Sequence, residues 1–599
     1  MIKDLGLSPY LSDGMVIQRD VRFPVWSRKK VSAAFLGKNY ESENISGKWL
    51  FITEPAAAGG PFEMTIFCGQ ETLYLKDIYI GDVWLCAGQS NMEMPMLRLK
   101  DDFGDEWEIK DYPPIRHFAV PQIYNFIEPC DDISGGCWTV ASANSLGGFS
   151  AAAWFFAKNM YEKYRVPIGL VNTAWGGTPV ESWMSIEDLA DYPLKISASK
   201  KNEEKSDIAI HDWESNLDLK DLGIIEEWQK QQTDISCWKY ITLPGYFEQS
   251  EFCGSVWFAK DFESDADLKN AKVWLGTIVD ADTVYINGKE IGSTAYRYPP
   301  RKYFADIKKG INRITIRVIC RNGDCCVTKD KPFRIFSDNK TIELCGTWKY
   351  SIGASLKPRP LEIFPQRKPI GNYNAMIAPI LKFPLKGVIW YQGESNEANP
   401  CEYENLFKLM INGWRQRYGC VLPFIFVQLP TFCPEAENNE QSRWAILREA
   451  QKQTLSLPDT GMACALELGE WNDIHPVNKK DVGFRLFMAA DKTVFGAENS
   501  SPGPMFKNYV KKNKHIYLYF DNCAKGLKSI TDDAFISVTE NDITTRLPAV
   551  IIEPNCLFID YSSVKNPKNI LYAWADNPKD RAFFNSDVLP MIPFRITID

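Results

Sequence analysis

Histidine is scarce in this 599-residue chain, which has four: His117, His211, His475 and His515. None of its sixteen cysteines forms a Cys-x-x-Cys pair, so the sequence offers little support for a zinc site. No apolar run approaches the ~18 residues of a membrane span, so no membrane partner is expected. The net charge is −8 and there is no block of Lys and Arg, which argues against a nucleic-acid partner.

The amino-terminal segment, MIKDLGLSPYLSDGMVIQRD, lacks the apolar core of a secretory signal peptide. The cysteines are scattered along the chain, as is usual for reduced thiols. We therefore expect a cytoplasmic protein. Edge strands of β modules could pair between subunits, so a homo-oligomer stays open.

The distribution of apolar residues predicts a multidomain protein that combines α/β and all-β parts. Residues 1–80 alternate short apolar runs with turns, as in a β-sandwich. An α/β domain begins at residue 81, and a β-rich insertion divides it into parts at 81–225 and 353–498. We place the insertion at 226–352 and a last β-rich module at 499–599. Within the insertion, INGKEIG predicts a hairpin that turns at Asn287–Gly288.

The segment GDVWLCAGQSNMEMP places Ser90 directly after a short apolar run. Four consecutive apolar residues, VWLC, predict a buried strand, and ligands of open α/β sheets bind at the carboxyl ends of strands. Ser90 is therefore a candidate nucleophile. On this segment alone, a serine that caps a helix is an equally good interpretation.

Three later segments carry small and polar residues where strands are expected to end. In VNTAWGGTPVESW, Gly176 and Gly177 would let backbone N–H groups approach a ligand closely, although a plain tight turn explains them as well. In VIWYQGESNEANP, amide side chains could donate hydrogen bonds to an oxyanion. In ELGEWNDIHPVNK, His475 follows Asp473 by two residues, and the pair could also be a surface ion pair. Together the segments supply what acyl transfer needs: a nucleophile, a base, a carboxylate and oxyanion donors.

The blocks GQSNM, GGTPVESW, WYQGESN and DIHPVNK resemble those of the SGNH (GDSL-like) hydrolases, specifically the sialate O-acetylesterase-like carbohydrate acetylesterases. The resemblance implies a flavodoxin-like α/β/α core flanked by β-sandwich modules. It implies that Ser90 is the nucleophile and His475 the general base. Asp473 is the expected triad acid and Glu394 the alternative.

The same resemblance implies an oxyanion hole and a substrate-binding set. The oxyanion donors would be the N–H groups of Ser90 and Gly177 with an amide of Gln392 or Asn396. The residues expected to contact substrate are Gln89, Asn91, Trp175 and Glu394. No metal or organic cofactor is implied.

The insertion resembles the galactose-binding-like jelly-roll modules that accompany glycosidases. Such a module either shapes one wall of the catalytic cleft or binds glycan itself, because the fold alone does not settle its function. Its candidate stacking residues are Trp257, Trp274, Tyr296 and Tyr298, with core packing favoured for both tryptophans.

The sequence thus predicts a serine esterase that removes O-acetyl groups from oligosaccharides, with xylo- or manno-oligosaccharides favoured. One alternative is a sialate O-acetylesterase, which would need an arginine for the sugar carboxylate, and Arg98 and Arg367 are available. A second alternative is a non-catalytic carbohydrate-binding protein with a degenerate hydrolase domain. If His475 is the base, activity should fall on the acid side with an apparent pKa of about 6–7.

Overall fold

The computed structural model describes residues 5–110, 112–199, 204–247, 251–337, 340–497, 502–541 and 543–598. The chain is a mixed α/β protein with several separate β-sheets. It divides into two compact units. The main unit joins Met1–Lys201 to Phe364–Asp599, and the inserted unit comprises Asn202–Ile363. No helix among the described residues is both long and apolar enough to cross a membrane.

A parallel sheet lies at the centre of the main unit. Its six strands are β1 (Glu71–Gly88), β2 (Ile115–Ala119), β3 (Ile168–Asn172), β4 (Gly387–Tyr391), β5 (Phe424–Gln428) and β6 (Thr460–Cys464). Their spatial order is β2-β3-β1-β4-β5-β6, and each neighbouring pair is parallel. A short strand, Trp138–Val140, pairs antiparallel with β2. Apart from the first half of β1, these strands are almost entirely buried, which explains why they are nearly continuous apolar runs.

Four longer helices accompany this sheet: α1 (Ala151–Tyr164), α2 (Pro400–Tyr418), α3 (Arg443–Gln453) and α4 (Lys479–Phe495). Helix α1 packs against α4, and α2 packs against α3. Their starts follow local chemistry, because Ser150, Ser442 and Asn478 each accept a hydrogen bond from a backbone N–H in the first turn. Helix α2 ends at Gly419, whose left-handed conformation suits glycine.

Strand β1 belongs to both the amino-terminal β region and the parallel sheet. Its first half pairs antiparallel with Gly59–Cys68, and its second half pairs with β3 and β4. The remaining strands of the region are Val16–Gln18, Phe23–Ser27, Ser32–Phe35, Lys38–Glu41, Glu43–Ile45 and Lys48–Thr53. The division expected after residue 80 therefore falls inside one unbroken strand. Strand β1 therefore joins the amino-terminal β region to the segment that contains Ser90.

The inserted unit begins with helices Glu204–Lys220 and Leu222–Ile225 and continues as antiparallel sheets. The largest sheet has the order Lys239–Leu243, Gly346–Ser355, Phe252–Ser264, Gly310–Gly323, Ala281–Ile286 and Lys289–Thr294. A four-stranded sheet comprises Lys302–Ile307, Leu268–Leu275, Phe333–Ser337 and Lys340–Glu343. Three short strands, Gly245–Tyr246, Cys326–Val327 and Ile278–Val279, form a third sheet. The unit has a hydrophobic core of its own.

The structure bears on three expectations for the inserted unit, which concern the hairpin, the aromatic residues and the cysteines. The Asn287–Gly288 hairpin is confirmed, because Ile286 pairs with Lys289 across that turn. Trp257 lies in the core, where its indole N–H donates to Asp221 Oδ1 at 2.9 Å, whereas Tyr296 and Tyr298 are exposed. The Cys320 and Cys325 side chains lie side by side, and the other fourteen cysteines are free.

The carboxyl-terminal part of the main unit is a seven-stranded antiparallel sheet. Its order is Met505–Lys512, His515–Asp521, Cys556–Asp560, Ile543–Glu553, Phe535–Glu540, Asn569–Tyr572 and Phe594–Thr597. Leu527–Ser529 pairs with Phe583–Asn585 beside it. Arg448 of α3, which is fully buried, donates to the carbonyls of Ala575 and Asp576 at 2.8 Å each. These hydrogen bonds join α3 to the segment that follows strand Asn569–Tyr572 of the carboxyl-terminal sheet.

Candidate active site

Ser90 lies just past the carboxyl end of β1, where the chain turns into the short helix Ser90–Glu93. The turn needs glycine at Gly88, because a Cβ there would come within 2.2 Å of the Tyr391 carbonyl oxygen at the end of β4. Gln89 occupies the N-cap position of the short helix without a side-chain capping hydrogen bond, and Ser90 is the first residue of the helix, so the capping interpretation of Ser90 is wrong. The Ser90 side chain is half-buried at the edge where β1 meets β3 and β4.

His475 comes from a loop between β6 and α4 and reaches the same point. Its Nε2 lies 2.7 Å from Ser90 Oγ. The sequence separation is 385 residues, so only the parallel sheet brings the two side chains together. A base within hydrogen-bond reach of a hydroxyl is the geometry that activates a serine nucleophile.

Asp473 holds the His475 loop in place. Its Oδ1 accepts the backbone N–H of His475 at 2.8 Å and lies 3.9 Å from His475 Nδ1. Its Oδ2 accepts Arg98 Nη2 at 3.1 Å. Arg98 therefore pairs with a carboxylate of the protein rather than standing ready for one on a sugar. A short movement of the imidazole would bring Nδ1–H within hydrogen-bond range of Asp473.

The surroundings of His475 keep its ring neutral. Burial, with the positive charges of Arg98 and Lys479, lowers the pKa of His475 to about 3. Lys479 is itself fully buried at the start of α4, where it donates to the Pro476 carbonyl. Burial and then the nearby Arg98 charge lower the pKa of Lys479 to about 7. A neutral imidazole is the form that can take a proton from Ser90.

The Gly176–Gly177 loop that follows β3 lies beside Ser90. A Cβ on Gly176, which follows β3, would lie 3.5 Å from Ser90 Cβ, so this loop packs directly on the serine. Gly177 has a φ of +74°, which favours glycine. The N–H groups of Ser90 and Gly177 donate no hydrogen bond to any residue that the structure describes. Their role as oxyanion donors stays a prediction.

Gln392 and Asn396 were expected to supply an oxyanion donor, and the structure uses their amides elsewhere. Both are buried. Gln392 Nε2 donates to the Thr178 carbonyl at 3.2 Å and to Asn396 Oδ1 at 2.7 Å. Asn396 Nδ2 donates to Glu181 Oε2 at 2.9 Å. The two amides support the loop that contains Gly177. Both donor hydrogens of Gln392 are already bonded within the protein, so they are not available to a substrate.

Asn91 was expected to contact substrate, and it is completely buried instead. Its Nδ2 donates to Glu394 Oε1 at 2.6 Å and to the Ile474 carbonyl at 3.0 Å. Asn91 thereby ties the serine turn to the loop that carries His475. The Ile474 carbonyl is the acceptor in that loop, whereas Glu394, the other acceptor, lies in the loop after β4, and burial raises the pKa of the Glu394 carboxyl.

Gln89 and Trp175 complete the residues expected at the site. Gln89 Oε1 accepts the backbone N–H groups of Gly393 at 3.4 Å and Ser395 at 3.2 Å, so this part of the side chain supports the β4 loop. Trp175 is half-buried beside Gly176, and its ring stacks on Tyr124 with centroids 6.4 Å apart. Sequence reasoning missed Tyr124, for which no local pattern gives a signal, and Lys479, which ends the DIHPVNK block.

The sequence and fold of this chain are similar to those of known carbohydrate esterases. The family model described as "Carbohydrate esterase, sialic acid-specific acetylesterase" matches residues 80–211 and 366–490, the two segments that build the site. Rat sialate O-acetylesterase is 25% identical over 596 residues, covering 92% of this chain and 85% of the rat protein. The human sialate O-acetylesterase is 35% identical over 488 residues, which cover 77% of this chain and 63% of the human protein.

The chain is similar to sialate O-acetylesterases and related carbohydrate esterases. A solved carbohydrate acetylesterase from Xanthomonas citri supports this, with a TM-score of 0.66 and 25% identity over 98% of this chain and 99% of that one. The esterase is a carboxylic ester hydrolase that acts on carbohydrates, as the resemblance of its sequence blocks implied.

Proposed function

We propose that this esterase releases acetate from O-acetylated sugars by serine acyl transfer, with Ser90 as nucleophile and His475 as base. The observation that carries the proposal is the 2.7 Å contact between His475 Nε2 and Ser90 Oγ. The neutral state of His475 supports it further, because a charged imidazole could not accept the serine proton.

The steps follow from these positions. His475 Nε2 takes the hydroxyl proton as Ser90 Oγ attacks the acetyl carbonyl carbon, and the oxyanion lies against the N–H groups of Ser90 and Gly177. The imidazolium then protonates the departing sugar oxygen, leaving an acetyl group on Ser90. His475 next draws a proton from water, which attacks the acetyl carbonyl carbon. The bond between that carbon and Ser90 Oγ then breaks, the imidazolium returns the proton to Oγ, and acetate leaves.

Asp473 is the proposed acid partner of His475, ahead of Glu394. Asp473 already accepts the backbone N–H of His475 and lies 3.9 Å from its Nδ1. Glu394 instead binds Asn91, and burial raises its pKa. Asp473 contacts His475 itself, whereas Glu394 makes no hydrogen bond or ion pair with His475 within the described residues, so Asp473 fits the role better.

We also propose that the α/β part has the three-layer core of SGNH hydrolases, interrupted by a jelly-roll module. Without the additional strand β2 outside β3, the order β3-β1-β4-β5-β6 supports the first assignment, because it corresponds to the flavodoxin-like order 2-1-3-4-5, with the site at the β1/β4 switch point. The paired antiparallel sheets of the inserted unit support the second. The preference for xylo- or manno-oligosaccharides stays a prediction, and the names of the relatives favour sialate esters.

Acetate release from three acetylated substrates tests the proposal: xylo-oligosaccharides, manno-oligosaccharides and 9-O-acetyl sialic acid. Wild type should release acetate from at least one, and Ser90→Ala should reduce kcat by about 10⁴-fold or more. Folded wild-type protein that releases none would contradict the proposal and support a non-catalytic binding protein. Release that survives Ser90→Ala would contradict the role of Ser90.

A further inference from the structure

A cleft of about 320 Å³ lies in the inserted unit, and every residue that lines it belongs to that unit. Most of the lining comes from strands Lys289–Thr294 and Lys302–Ile307, each of which is an edge strand of its sheet. Lys289, Glu290 and Phe304 line the cleft and are exposed, so a ligand can reach it. The volume is at the small end of the ~300–1,000 Å³ that is typical of small-molecule sites, which suits a sugar unit.

Phe304 presents an open aromatic ring at this cleft, and the residue is 55% exposed. Trp274 of the neighbouring strand differs, because Lys272 Nζ and Lys302 Nζ lie over its ring, 5.0 and 4.4 Å from the centroid. These cations occupy space that a sugar ring would need above Trp274. Phe304 is therefore the ring suited to stacking on the apolar face of a sugar, and the buried Ile286 adds apolar contact to the cleft.

Two polar side chains of the cleft have hydrogen-bonding capacity to spare. The carboxylate of Glu290 and the ammonium of Lys289 make no hydrogen bond or ion pair with any residue that the structure describes. The Asp306 carboxylate is already occupied, because Oδ1 accepts the Asn270 backbone N–H at 2.9 Å and Oδ2 accepts Lys269 Nζ at 3.0 Å. Sugar hydroxyls both donate and accept hydrogen bonds, so a sugar can use the Glu290 acceptor and the Lys289 donor together.

The charges at the cleft favour a neutral ligand. Glu290 and Asp306 carry negative charge, and Lys289 and the Asp306 partner Lys269 carry positive charge. The two signs balance, so no net positive charge draws an acidic sugar into the cleft. A neutral sugar needs no such attraction, and the cleft therefore fits neutral rather than acidic sugars.

We propose that this cleft is a non-catalytic carbohydrate site, in which Phe304 stacks on a neutral sugar ring while Glu290 and Lys289 bind its hydroxyl groups. The carbohydrate class of the ligand agrees with the similarity of the chain to carbohydrate esterases. The site uses neither Ser90 nor His475, so it goes beyond the acyl transfer proposed above. It holds an oligosaccharide without hydrolysing it.

Isothermal titration calorimetry of the full chain with xylohexaose and mannohexaose tests the proposal. Neither probe carries an acetyl group, so binding is measured without turnover. Wild type should bind at least one of them, and Phe304→Ala should weaken that binding about 10-fold or more. Phe304→Tyr should retain it, because the ring is kept. Binding of neither probe, or equal binding by wild type and Phe304→Ala, would overturn the proposal.

Tyr240→Ala is the matched control for the loss of an exposed ring. Tyr240 is 70% exposed and lies on strand Lys239–Leu243, at the opposite edge of the six-stranded sheet from Lys289–Thr294. This variant should bind both probes as wild type does. A loss as large as that of Phe304→Ala would overturn the assignment of binding to the cleft.

Two further measurements test the polar contacts and the choice of a neutral sugar. Glu290→Ala should weaken binding of the same probe about 10-fold, as expected for the loss of a hydrogen bond to a charged group, and unchanged binding would overturn the assigned contact. Tetragalacturonic acid should bind more weakly than the neutral probe, and tighter binding would overturn the preference for neutral sugars.

The esterase activity provides an independent readout. Hydrolysis of 4-nitrophenyl acetate by Phe304→Ala should match that of wild type, because Phe304 belongs to the inserted unit and the proposed catalytic residues belong to the main unit. An equal loss of hydrolysis and of sugar binding would overturn a separate site. A total absence of hydrolysis by wild type would instead contradict the proposed function, and the calorimetry would still decide the role of the cleft.

Discussion

His475 should remain an active base at pH values where an ordinary histidine is already charged. The perturbation is acidification from pH 8 to pH 4. Burial is the main cause that lowers the pKa of His475 from 6.5 to about 3, and the charges of Arg98 and Lys479 add to it. The acid limb of kcat/KM should therefore lie well below the pH 6–7 that the sequence alone predicts.

The size of the effect is large at pH 5. A histidine with a pKa of 6.5 would be only ~3% neutral there, whereas one with a pKa of about 3 would be ~99% neutral. The two cases differ about 30-fold in the fraction of competent enzyme. The assay is kcat/KM for 4-nitrophenyl acetate, which is uncharged, measured by acetate release at half-unit steps of pH.

Acid lowers the stability of the fold even where His475 stays neutral, so the folded state must be checked at each pH. Burial lowers the pKa of His117 to about 4, and His475 titrates in the same direction. Below pH 6.5 these two histidines bind protons in the unfolded chain but stay neutral in the folded chain. The free energy of unfolding therefore falls as the pH is lowered, by about 2 kcal/mol per histidine at pH 5. Circular dichroism at each pH identifies the range in which the protein is folded.

His117→Phe is the control variant for this loss of stability, because it removes one of the two histidines and leaves His475 in place. His117 is buried against Phe149, with ring centroids 4.8 Å apart, and its Nε2 makes no hydrogen bond within the described residues. The variant should resist acid unfolding better than wild type and keep the same acid limb of kcat/KM. A midpoint at pH 6–7 in folded protein would refute our reasoning about the His475 environment.

Three further predictions concern the site and its supports. Asp473→Asn should lower kcat by about 10²-fold or more and Glu394→Gln by much less, whereas the reverse order would make Glu394 the acid. Asn91→Ala should cost about 2–4 kcal/mol in urea denaturation because it leaves buried acceptors unpaired, and an unchanged midpoint would contradict that tie. Gly88→Ala should prevent folding or lower Tm sharply because its Cβ would lie 2.2 Å from the Tyr391 carbonyl oxygen, and a normal Tm would refute the tight crossing.

The candidate residues of the site could be identified from the sequence because each signal is local. An apolar run followed by small polar residues marks the end of a buried strand, as at Ser90 and at Gly176–Gly177. The scarcity of histidine then left few candidates for a base, and His475 had a carboxylate two residues away. Strand ends, tight turns and adjacent charges depend on neighbouring residues, which a sequence displays directly.

Only the tertiary structure decided which polar atoms remain available. Gln392, Asn396 and Asn91 look like ligand donors in the sequence, but their amides are committed to partners from other loops. Arg98 meets Asp473 across 375 residues, and Arg367 reaches the Gly177 loop from a distant segment. A side chain's hydrogen bonds and pKa depend on whatever the fold packs against it, and that environment comes from parts of the chain far away in sequence.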